Sequence, residues 1–136
     1  MGPENSENRN ETAAREQVAV YGTLMRGGSN HNLMSGARFV GRDRLKSIRL
    51  YDLGDYPGAV SGASLGIEVE VYEISSEQLA LLDTLEDYRA EFPEAGLYTR
   101  KRHSTRHGEA WVYLFQGSTL GYRLILRGGW NRSEGL

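Results

Sequence analysis

The chain has 136 residues, a formal net charge of -2 and no cysteine. This length predicts about one domain, and the lack of cysteine excludes disulfides, cysteine-bound zinc and a thiolate nucleophile. The sequence has no positive excess, no apolar run near the roughly 20 residues that span a bilayer and no secretory signal, so we expect a cytoplasmic protein without nucleic-acid or membrane partners.

Residues 1–16 contain no aromatic and no β-branched apolar residue. Such a segment buries too little surface to offset the entropy that is lost when it becomes ordered. We therefore expect a disordered leader over residues 1–16. A single domain over residues 17–136 follows, with a tail that is irregular from Gly117 on.

The first predicted strand is the apolar run 18–21, which stops at Gly22 as a buried strand does at a turn. The loop after it is rich in turn-forming residues, and Asn30 is a candidate cap for a short helix. Residues 37–53 alternate loosely between polar and apolar, which predicts two strands with a bulge at Gly41.

The alternation over residues 66–74 predicts a half-buried strand, with isoleucine and valine on one face and glutamate and tyrosine on the other. Ser75 and Gln78 fit a capping box. Leucines then recur at helical spacing, so we predict a helix over residues 76–86. The polar residues 87–97 after it predict a loop.

Two further strands are predicted at residues 98–105 and 109–116, joined by a turn at His107 and Gly108. Strands outnumber helices, and the connections between them are mixed. The sequence therefore predicts an α+β domain built on a small, mixed, partly closed, β-barrel-like sheet with a few flanking helices.

Motifs for metals and cofactors are missing from the sequence. There is no phosphate-binding P-loop and no H-E-x-x-H. His31, His103 and His107 could in principle hold a metal together, but a solvated basic hairpin around the last two is the simpler interpretation. We expect no metal and no cofactor.

Two features could carry chemistry, and the residues alone leave a structural alternative open for each. Glu86 ends the predicted helix, where the helix dipole and partial burial would raise its pKa toward the range of proton transfer. A solvated glutamate beside Asp83 and Asp87 explains the same pattern. The turn over residues 22–30 could likewise be purely structural.

Six short segments stand in an order that one known family shares. They are Val20–Leu24 with Asn30-His31, Tyr56–Val60, Gly66–Tyr72, Leu82–Glu86, Leu97–Arg100 and Ala110–Tyr113. Together they resemble the γ-glutamylcyclotransferase-like, or AIG2-like, family over about residues 17–116. They are most similar to the branch that holds γ-glutamylamine cyclotransferase and its small bacterial relatives.

The resemblance implies an enzyme in which the α-amine of a γ-glutamyl compound attacks its own γ-carbonyl. The products are 5-oxoproline and a free amine or amino acid. By the resemblance, Glu86 is the general acid and base, and the turn of Tyr21, Gly22, Thr23 and Leu24 holds the γ-glutamyl group. Because nucleophile and electrophile are tethered, the reaction needs no protein nucleophile, metal or cofactor.

Three more residues are candidates for the substrate pocket, and Arg100 is considered beside them. Tyr98 could supply a hydroxyl donor, and Tyr56 with Pro57 could form part of the wall, although packing explains each of them equally well. Arg100 could meet a carboxylate of the substrate, but a pair with an aspartate or glutamate of the chain is the stronger alternative.

Two other functions stay open. The fold could serve as a non-catalytic small-molecule-binding or interaction module. A nucleic-acid binder is a weaker alternative, which would use a set of basic residues: Arg100, Lys101, Arg102, Arg106, Arg123, Arg127 and Arg132.

One departure from the family pattern bears on the substrate. Relatives often carry glycine after the catalytic glutamate, whereas Asp87 follows it here and the loop runs to Leu97. Because that loop borders the expected pocket, substrate preference and leaving group stay open, as does the oligomeric state.

Overall fold

The computed structural model describes residues 15–130; residues 1–14 and 131–136, and with them most of the predicted leader, lie outside the described residues. Arg15 and Glu16, which the sequence assigned to the leader, begin the first strand. The elements in chain order are β1 (Arg15–Val20), a 3₁₀ helix (His31–Met34), β2 (Arg38–Leu45), β3 (Ile48–Asp52), β4 (Pro57–Ser61), β5 (Ile67–Ser75), α1 (Ser76–Leu85), β6 (Tyr98–Thr105), β7 (Gly108–Phe115) and β8 (Arg123–Ile125).

The strands form two sheets. The larger has the order β2-β5-β1-β7-β6, in which β1 and β7 run parallel and the other neighbours run antiparallel. The smaller has the order β4-β3-β8 and is antiparallel throughout. The predicted α+β class with a mixed sheet is confirmed. Over residues 15–130, the flanking helices are one α-helix and one short 3₁₀ helix.

Side chains rather than a ladder bridge the two edge strands of the larger sheet. At the tip of the β6–β7 hairpin, the backbone N–H of Arg106 donates to the Asp43 carboxylate of β2 at 2.9 Å. The Nε2 atom of His107 lies 3.0 Å from the carbonyl oxygen of Arg42. The sheet therefore bends toward a barrel without closing through backbone pairing.

Strand β5 is buried on both faces. Ile67, Val69 and Val71 belong to the apolar core between the two sheets, as the alternation predicted. On the other face, Glu70 and Tyr72 are each only 3% exposed, where the sequence predicted solvent. Tyr72 belongs to a second apolar cluster, which includes leucines of α1. Alternation alone does not distinguish a solvated face from one that a helix and a loop cover.

Two local predictions in the first half of the chain have different outcomes. The bulge predicted at Gly41 is confirmed, because the β2–β5 register shifts between Phe39 and Gly41. The capping role predicted for Asn30 is wrong, since its side chain makes no capping hydrogen bond. It donates instead to Oγ1 of Thr23 at 3.1 Å, because the Asn30 N–H already bonds the Thr23 carbonyl and brings the two residues together.

Helix α1 begins where the sequence predicted. The Oγ atom of Ser75 accepts a hydrogen bond from the N–H of Gln78 at 3.1 Å, so the serine half of the capping box is confirmed. The Gln78 amide reaches outward and donates to the carbonyls of Leu33 and Ser35, each at 3.0 Å. Gln78 thereby ties the 3₁₀ segment to the start of α1.

The other end of α1 is a Schellman motif with aspartate at the left-handed position. The N–H of Tyr88 donates to the carbonyl of Asp83 at 2.8 Å and that of Asp87 to the carbonyl of Thr84 at 3.2 Å. Asp87 has φ 55°, and its carboxylate accepts a hydrogen bond from the N–H of Leu97 at 3.0 Å. A Cβ at Gly96 would lie 2.0 Å from the Asp87 carbonyl oxygen, so the loop closes tightly on Asp87.

The tail is more regular than predicted. The apolar residues that the sequence left in an irregular tail contribute to β8, which pairs with β3 at Leu50 and Ile125. Ile125 is buried in the core between the sheets. A strand of three residues is too short for its periodicity to be read from the sequence, and its partner lies more than 70 positions away.

We predict that Asp87→Ala destabilises the protein and that Asp87→Asn does so less. Alanine is disfavoured at φ 55° and removes the acceptor of the Leu97 N–H, whereas asparagine adopts left-handed backbone more readily and keeps an acceptor oxygen. Thermal unfolding should give a lower midpoint for the alanine variant, and hydrogen exchange at Leu97 should be faster. Equal midpoints for the two variants would contradict this account.

Candidate active site

A cavity of about 260 Å³ lies at the end of β1. Every residue that the sequence analysis assigned to the site lines it. They are Tyr21, Gly22, Thr23, Leu24, Tyr56, Pro57, Glu86 and Tyr98. The structure thus brings four separate segments of the chain together, while the role of each side chain stays a prediction.

The lining also contains residues that the sequence analysis did not assign to the site. They are Ala19, Val20, Ser29, Asn30, Asp55, Leu85, Leu97 and Tyr113. Most are chain neighbours of predicted residues, so adjacency could have identified them. Tyr113 is different, because it lies within β7 and only its place in a family segment pointed to it.

Glu86 is one of two carboxylates that line this cavity, the other being Asp55. It is the residue at the C-terminal cap of α1, and its backbone N–H bonds the carbonyl of Leu82 at 2.9 Å. Within residues 15–130, no donor bonds its side chain. Burial raises the pKa of Glu86 from 4.5 to about 7. Loss of hydration without a compensating hydrogen bond disfavours the charged form, which is the direction that the sequence predicted.

The charge of Glu86 acts on three tyrosines. Burial is the largest cause that raises the pKa of Tyr21, Tyr98 and Tyr113, and the negative charge of Glu86 is a further cause for each of them. All three tyrosines line the same cavity as Glu86.

Each of these hydroxyl groups donates its hydrogen away from Glu86. Tyr21 donates to the carbonyl of Tyr113 at 2.7 Å and accepts from the N–H of Ala59 at 3.2 Å. Tyr98 donates to the carbonyl of Pro57 at 2.8 Å, and Tyr113 donates to Oδ1 of Asp83 at 2.7 Å. In this structure the three hydroxyls hold neighbouring segments together.

The turn after β1 presents three consecutive backbone N–H groups. Those of Gly22, Thr23 and Leu24 have no protein acceptor within the described part of the chain. The carbonyls of the same turn are used, since Gly22 accepts from Met25 at 3.0 Å and Thr23 accepts from Asn30 at 2.9 Å. Consecutive free N–H groups of this kind bind anionic oxygens.

The structure gives a steric reason for glycine at position 22. A Cβ there would lie 2.7 Å from Cγ and 2.9 Å from Cδ of Pro57. The resemblance placed Gly22 in the turn that holds the γ-glutamyl group, and in the structure the Pro57 ring packs against it. Gly22 therefore joins the turn to the Tyr56-Pro57 wall.

Glu70 supports the same turn from behind. Its buried carboxylate accepts hydrogen bonds from the N–H of Arg26 and the hydroxyl of Tyr72, both at 3.0 Å. The guanidinium of Arg42 lies 4.0 Å away. The sequence assigned Glu70 to a solvated strand face, so this anchor was not predicted.

Arg100 pairs with a carboxylate of the chain. This is the stronger of the two alternatives that the sequence analysis gave for it. Its Nε and Nη2 atoms donate to the two oxygens of Asp83 at 2.9 and 3.1 Å. The guanidinium carbon also lies 4.3 Å from the ring centre of Trp111 and 4.7 Å from that of Tyr88. The end of α1 is thereby fixed to strands β6 and β7.

The other candidate groups lie elsewhere. The ring nitrogens of His31, His103 and His107 contact Leu24, Ser47 and Arg42 respectively. No cluster of three metal-ligating groups occurs among residues 15–130.

Several of the basic residues considered for nucleic acid are paired with carboxylates. Arg102 lies 3.7 Å from Glu16 and Arg123 lies 3.4 Å from Asp52, while Arg132 is outside the described residues.

No helix in the described part of the chain is long and apolar enough to cross a membrane.

Comparison with known proteins gives a consistent result. The family model described as Gamma-glutamyl cyclotransferase, AIG2-like matches residues 18–132. The Gamma-glutamylcyclotransferase family protein YtfP of Escherichia coli (strain K12) is 36% identical over 114 residues, which cover 84% of this chain and 95% of that protein.

Solved structures agree with this match. The solution NMR structure of YtfP from Escherichia coli has a TM-score of 0.66 at 35% identity and covers 87% of this chain and 98% of that one. The crystal structure of an AIG2-like protein from Mus musculus has a TM-score of 0.72 and covers 87% of this chain and 89% of that one. At 23% identity, the mouse protein supports the fold alone.

A shorter match concerns a named activity. The Gamma-L-glutamyl-butirosin B gamma-glutamyl cyclotransferase of Niallia circulans is 40% identical over 70 residues, which cover 51% of this chain and 44% of that protein.

We predict that Glu86→Gln stabilises the protein above neutral pH. The folded-state pKa of about 7 exceeds 4.5, so the folded state binds the proton more tightly and the stability from protonated Glu86 is lost as pH rises from 4.5 to 7. Urea unfolding should show no difference between variant and parent near pH 4 and about 3 kcal/mol in favour of the variant at pH 8. Glu77→Gln, at an exposed glutamate on the same helix, should show no such trend.

We predict that Tyr21→Phe costs about 1–3 kcal/mol of stability, because it leaves the buried N–H of Ala59 without its acceptor. Urea unfolding measures the loss. Tyr122→Phe, at an exposed tyrosine, is the matched control and should leave stability unchanged. Unchanged stability of Tyr21→Phe would show that its hydroxyl is not structural.

Proposed function

The chain belongs to the gamma-glutamyl cyclotransferase, AIG2-like family, and we propose that it converts a γ-glutamyl compound into 5-oxoproline and a free amine or amino acid. One observation carries the proposal. Glu86, with a pKa of about 7, shares one small cavity with the acceptor-free N–H groups of Gly22, Thr23 and Leu24. A group that both accepts and donates protons near neutral pH is thus placed with a site for negative charge.

Glu86 handles the proton that the reaction must move. Its carboxylate takes a proton from the α-ammonium, and the free amine then attacks the γ-carbonyl carbon to form the ring C–N bond. The protonated Glu86 gives that proton to the leaving nitrogen as the bond between it and the carbonyl carbon breaks. The second proton lost by the attacking nitrogen ends on the released amine, so charge and atoms balance.

The turn after β1 binds the negative charge of the substrate. In the proposed complex, the N–H groups of Gly22, Thr23 and Leu24 meet the α-carboxylate or the oxyanion that develops on the γ-carbonyl. Removal of one such donor typically costs about 3–4 kcal/mol of transition-state stabilisation. The Glu70 contact to Arg26 keeps the turn in place from the opposite side.

The walls of the cavity orient the substrate. Because nucleophile and electrophile belong to one molecule, correct alignment is equivalent to an effective concentration on the order of 10⁵–10⁸ M. Tyr21 and Tyr98 fix the neighbouring backbone through their hydroxyls, so they shape the cavity rather than take part in proton transfer.

The relatives support the class of substrate. The name of the Niallia circulans relative states a γ-glutamyl cyclotransferase acting on γ-L-glutamyl-butirosin B. The matched 70 residues make a γ-glutamyl substrate the natural proposal for this chain as well, while the size of the leaving group is a separate question.

We predict that Glu86→Gln lowers kcat about 10²- to 10⁴-fold, the usual cost of removing a general acid–base group, with little change in KM. The assay measures 5-oxoproline released from a panel of γ-glutamyl amines and γ-glutamyl dipeptides. For the parent, kcat/KM should rise with pH through an apparent pKa near 7, because free Glu86 must be ionised to accept the proton.

Glu77→Gln serves as the control and should retain full activity. Turnover by Glu86→Gln at the parental rate would contradict the role of Glu86. If no γ-glutamyl compound were turned over while one of them raised the melting temperature, the binding-module alternative would replace the enzyme.

A further inference from the structure

Both oxygens of Thr23 are held by Asn30. The backbone N–H of Asn30 donates to the Thr23 carbonyl at 2.9 Å, and the side-chain Nδ2 of Asn30 donates to Oγ1 of Thr23 at 3.1 Å. The loop between the two residues folds back closely, since a Cβ at Gly28 would overlap the Thr23 carbonyl. Thr23 and Asn30 both line the cavity. The conformation of Thr23 is therefore fixed by the residue that closes its loop.

The direction of the side-chain hydrogen bond frees the hydrogen of the Thr23 hydroxyl. Because an amide nitrogen donates and does not accept, Oγ1 of Thr23 is the acceptor. Within residues 15–130, no acceptor bonds the hydrogen of that hydroxyl. The tyrosines of the cavity differ, because Tyr21, Tyr98 and Tyr113 all donate to acceptors of the chain. Thr23 thus keeps a hydroxyl donor for a ligand in the cavity.

The turn after β1 therefore presents four donors from three consecutive residues. They are the N–H groups of Gly22, Thr23 and Leu24 and the hydroxyl of Thr23. A carboxylate has two oxygens with about four lone-pair sites, so it accepts from all four donors, whereas a carbonyl oxygen has only two lone pairs. Among the residues that line the cavity, none is lysine, arginine or histidine. A carboxylate in this cavity has to be bound by uncharged donors, and the turn supplies four of them.

We infer that the Thr23 hydroxyl, oriented by Asn30, is the fourth donor of the turn, and that the four donors bind the α-carboxylate of the substrate. This inference rests on the proposed function and decides between the two anionic groups named there. Thr23 contacts the substrate directly, whereas Asn30 is a positioning residue that acts through Thr23. Since the α-carboxylate is charged in both the substrate and the transition state, the hydroxyl contributes to binding and not to the chemical step.

Thr23→Val removes the hydroxyl and nearly preserves the shape of the side chain. For a γ-glutamyl compound that the parent converts, KM should rise about 10- to 150-fold, the usual range for a hydrogen bond to a charged group, while kcat changes little. Thr23→Ser restores a hydroxyl and should recover most of the loss. Release of 5-oxoproline measures both constants, and urea unfolding establishes that each variant is folded.

A pair of ligands tests the role of the α-carboxylate without turnover. N-Propyl-4-aminobutanamide is γ-glutamyl propylamide without its α-carboxylate. In NMR titrations of Glu86→Gln, adding Thr23→Val should raise the Kd of γ-glutamyl propylamide about 10- to 150-fold. The Kd of the analogue should be the same with and without Thr23→Val, because the analogue has no carboxylate for the hydroxyl to bind.

Substitutions at Asn30 test how the hydroxyl is oriented. An ionised aspartate only accepts hydrogen bonds, so Asn30→Asp draws the Thr23 hydrogen away from the cavity and should raise KM at least as much as Thr23→Val does. Asn30→Ala should also raise KM, and its effect should not add to that of Thr23→Val, since both act through one hydroxyl. Asn32→Asp is the matched control, because Asn32 is exposed and outside the cavity lining, and it should keep the parental KM.

Each outcome separates this inference from the proposed function. A parental KM in folded Thr23→Val, or an equal effect of Thr23→Val on both ligands, would overturn the role of the hydroxyl. A lower kcat at unchanged KM would place the hydroxyl on the developing oxyanion and overturn the carboxylate assignment. A parental KM in Asn30→Asp would overturn the role of Asn30. In all these cases release of 5-oxoproline by the wild-type protein would leave the proposed function standing, whereas a chain that neither binds nor converts any γ-glutamyl compound would overturn both.

Discussion

The two-oxygen contact between Asp83 and Arg100 is the interaction on which the candidate site depends most. Asp83 lies three residues before Glu86 on α1, and Arg100 lies on β6, so the pair fixes the end of the helix to the sheet. Tyr113 adds a third hydrogen bond to the same carboxylate. Mostly buried pairs of this kind contribute more to defined geometry than to net stability, because each charge loses its hydration. Here the geometry is that of Glu86 over the cavity.

The electrostatics of Glu86 follow from where its neighbours direct their hydrogens. Tyr21, Tyr98 and Tyr113 line the same cavity as the carboxylate but donate to the carbonyl of Tyr113, the carbonyl of Pro57 and Asp83, respectively. A single donation to Glu86 would favour its charged form and lower its pKa. The structural use of the three hydroxyls therefore leaves burial as the dominant effect, and the pKa of Glu86 stays near neutral.

Local patterns predicted local structure well. The start of α1 at Ser75, the bulge at Gly41 and the β6–β7 hairpin depend on neighbouring residues, and the sequence contains those residues. The failures concern contacts between distant segments. Burial of Glu70 and the pairing of β8 depend on what packs against them, which alternation does not encode.

The candidate site shows the same division. The sequence analysis assigned eight of its lining residues to the site, but apart from its place in a family segment nothing indicated that Tyr113 would join them from β7. Nor did any pattern reveal that the tyrosine hydroxyls would be used for structure, since each donates to a partner more than 25 positions away.

The hydroxyl of Tyr21 joins β4 of the smaller sheet to β7 of the larger one, and its ring lines the cavity. The same atoms thus serve both the fold and the pocket, so a substitution that reshapes the floor of the cavity also weakens the junction of the sheets. Side chains at the mouth of the cavity do not serve both the fold and the pocket in this way. In a protein built this way, we expect substitutions that change the substrate to occur mainly at the entrance of the cavity, because variation there leaves the scaffold intact.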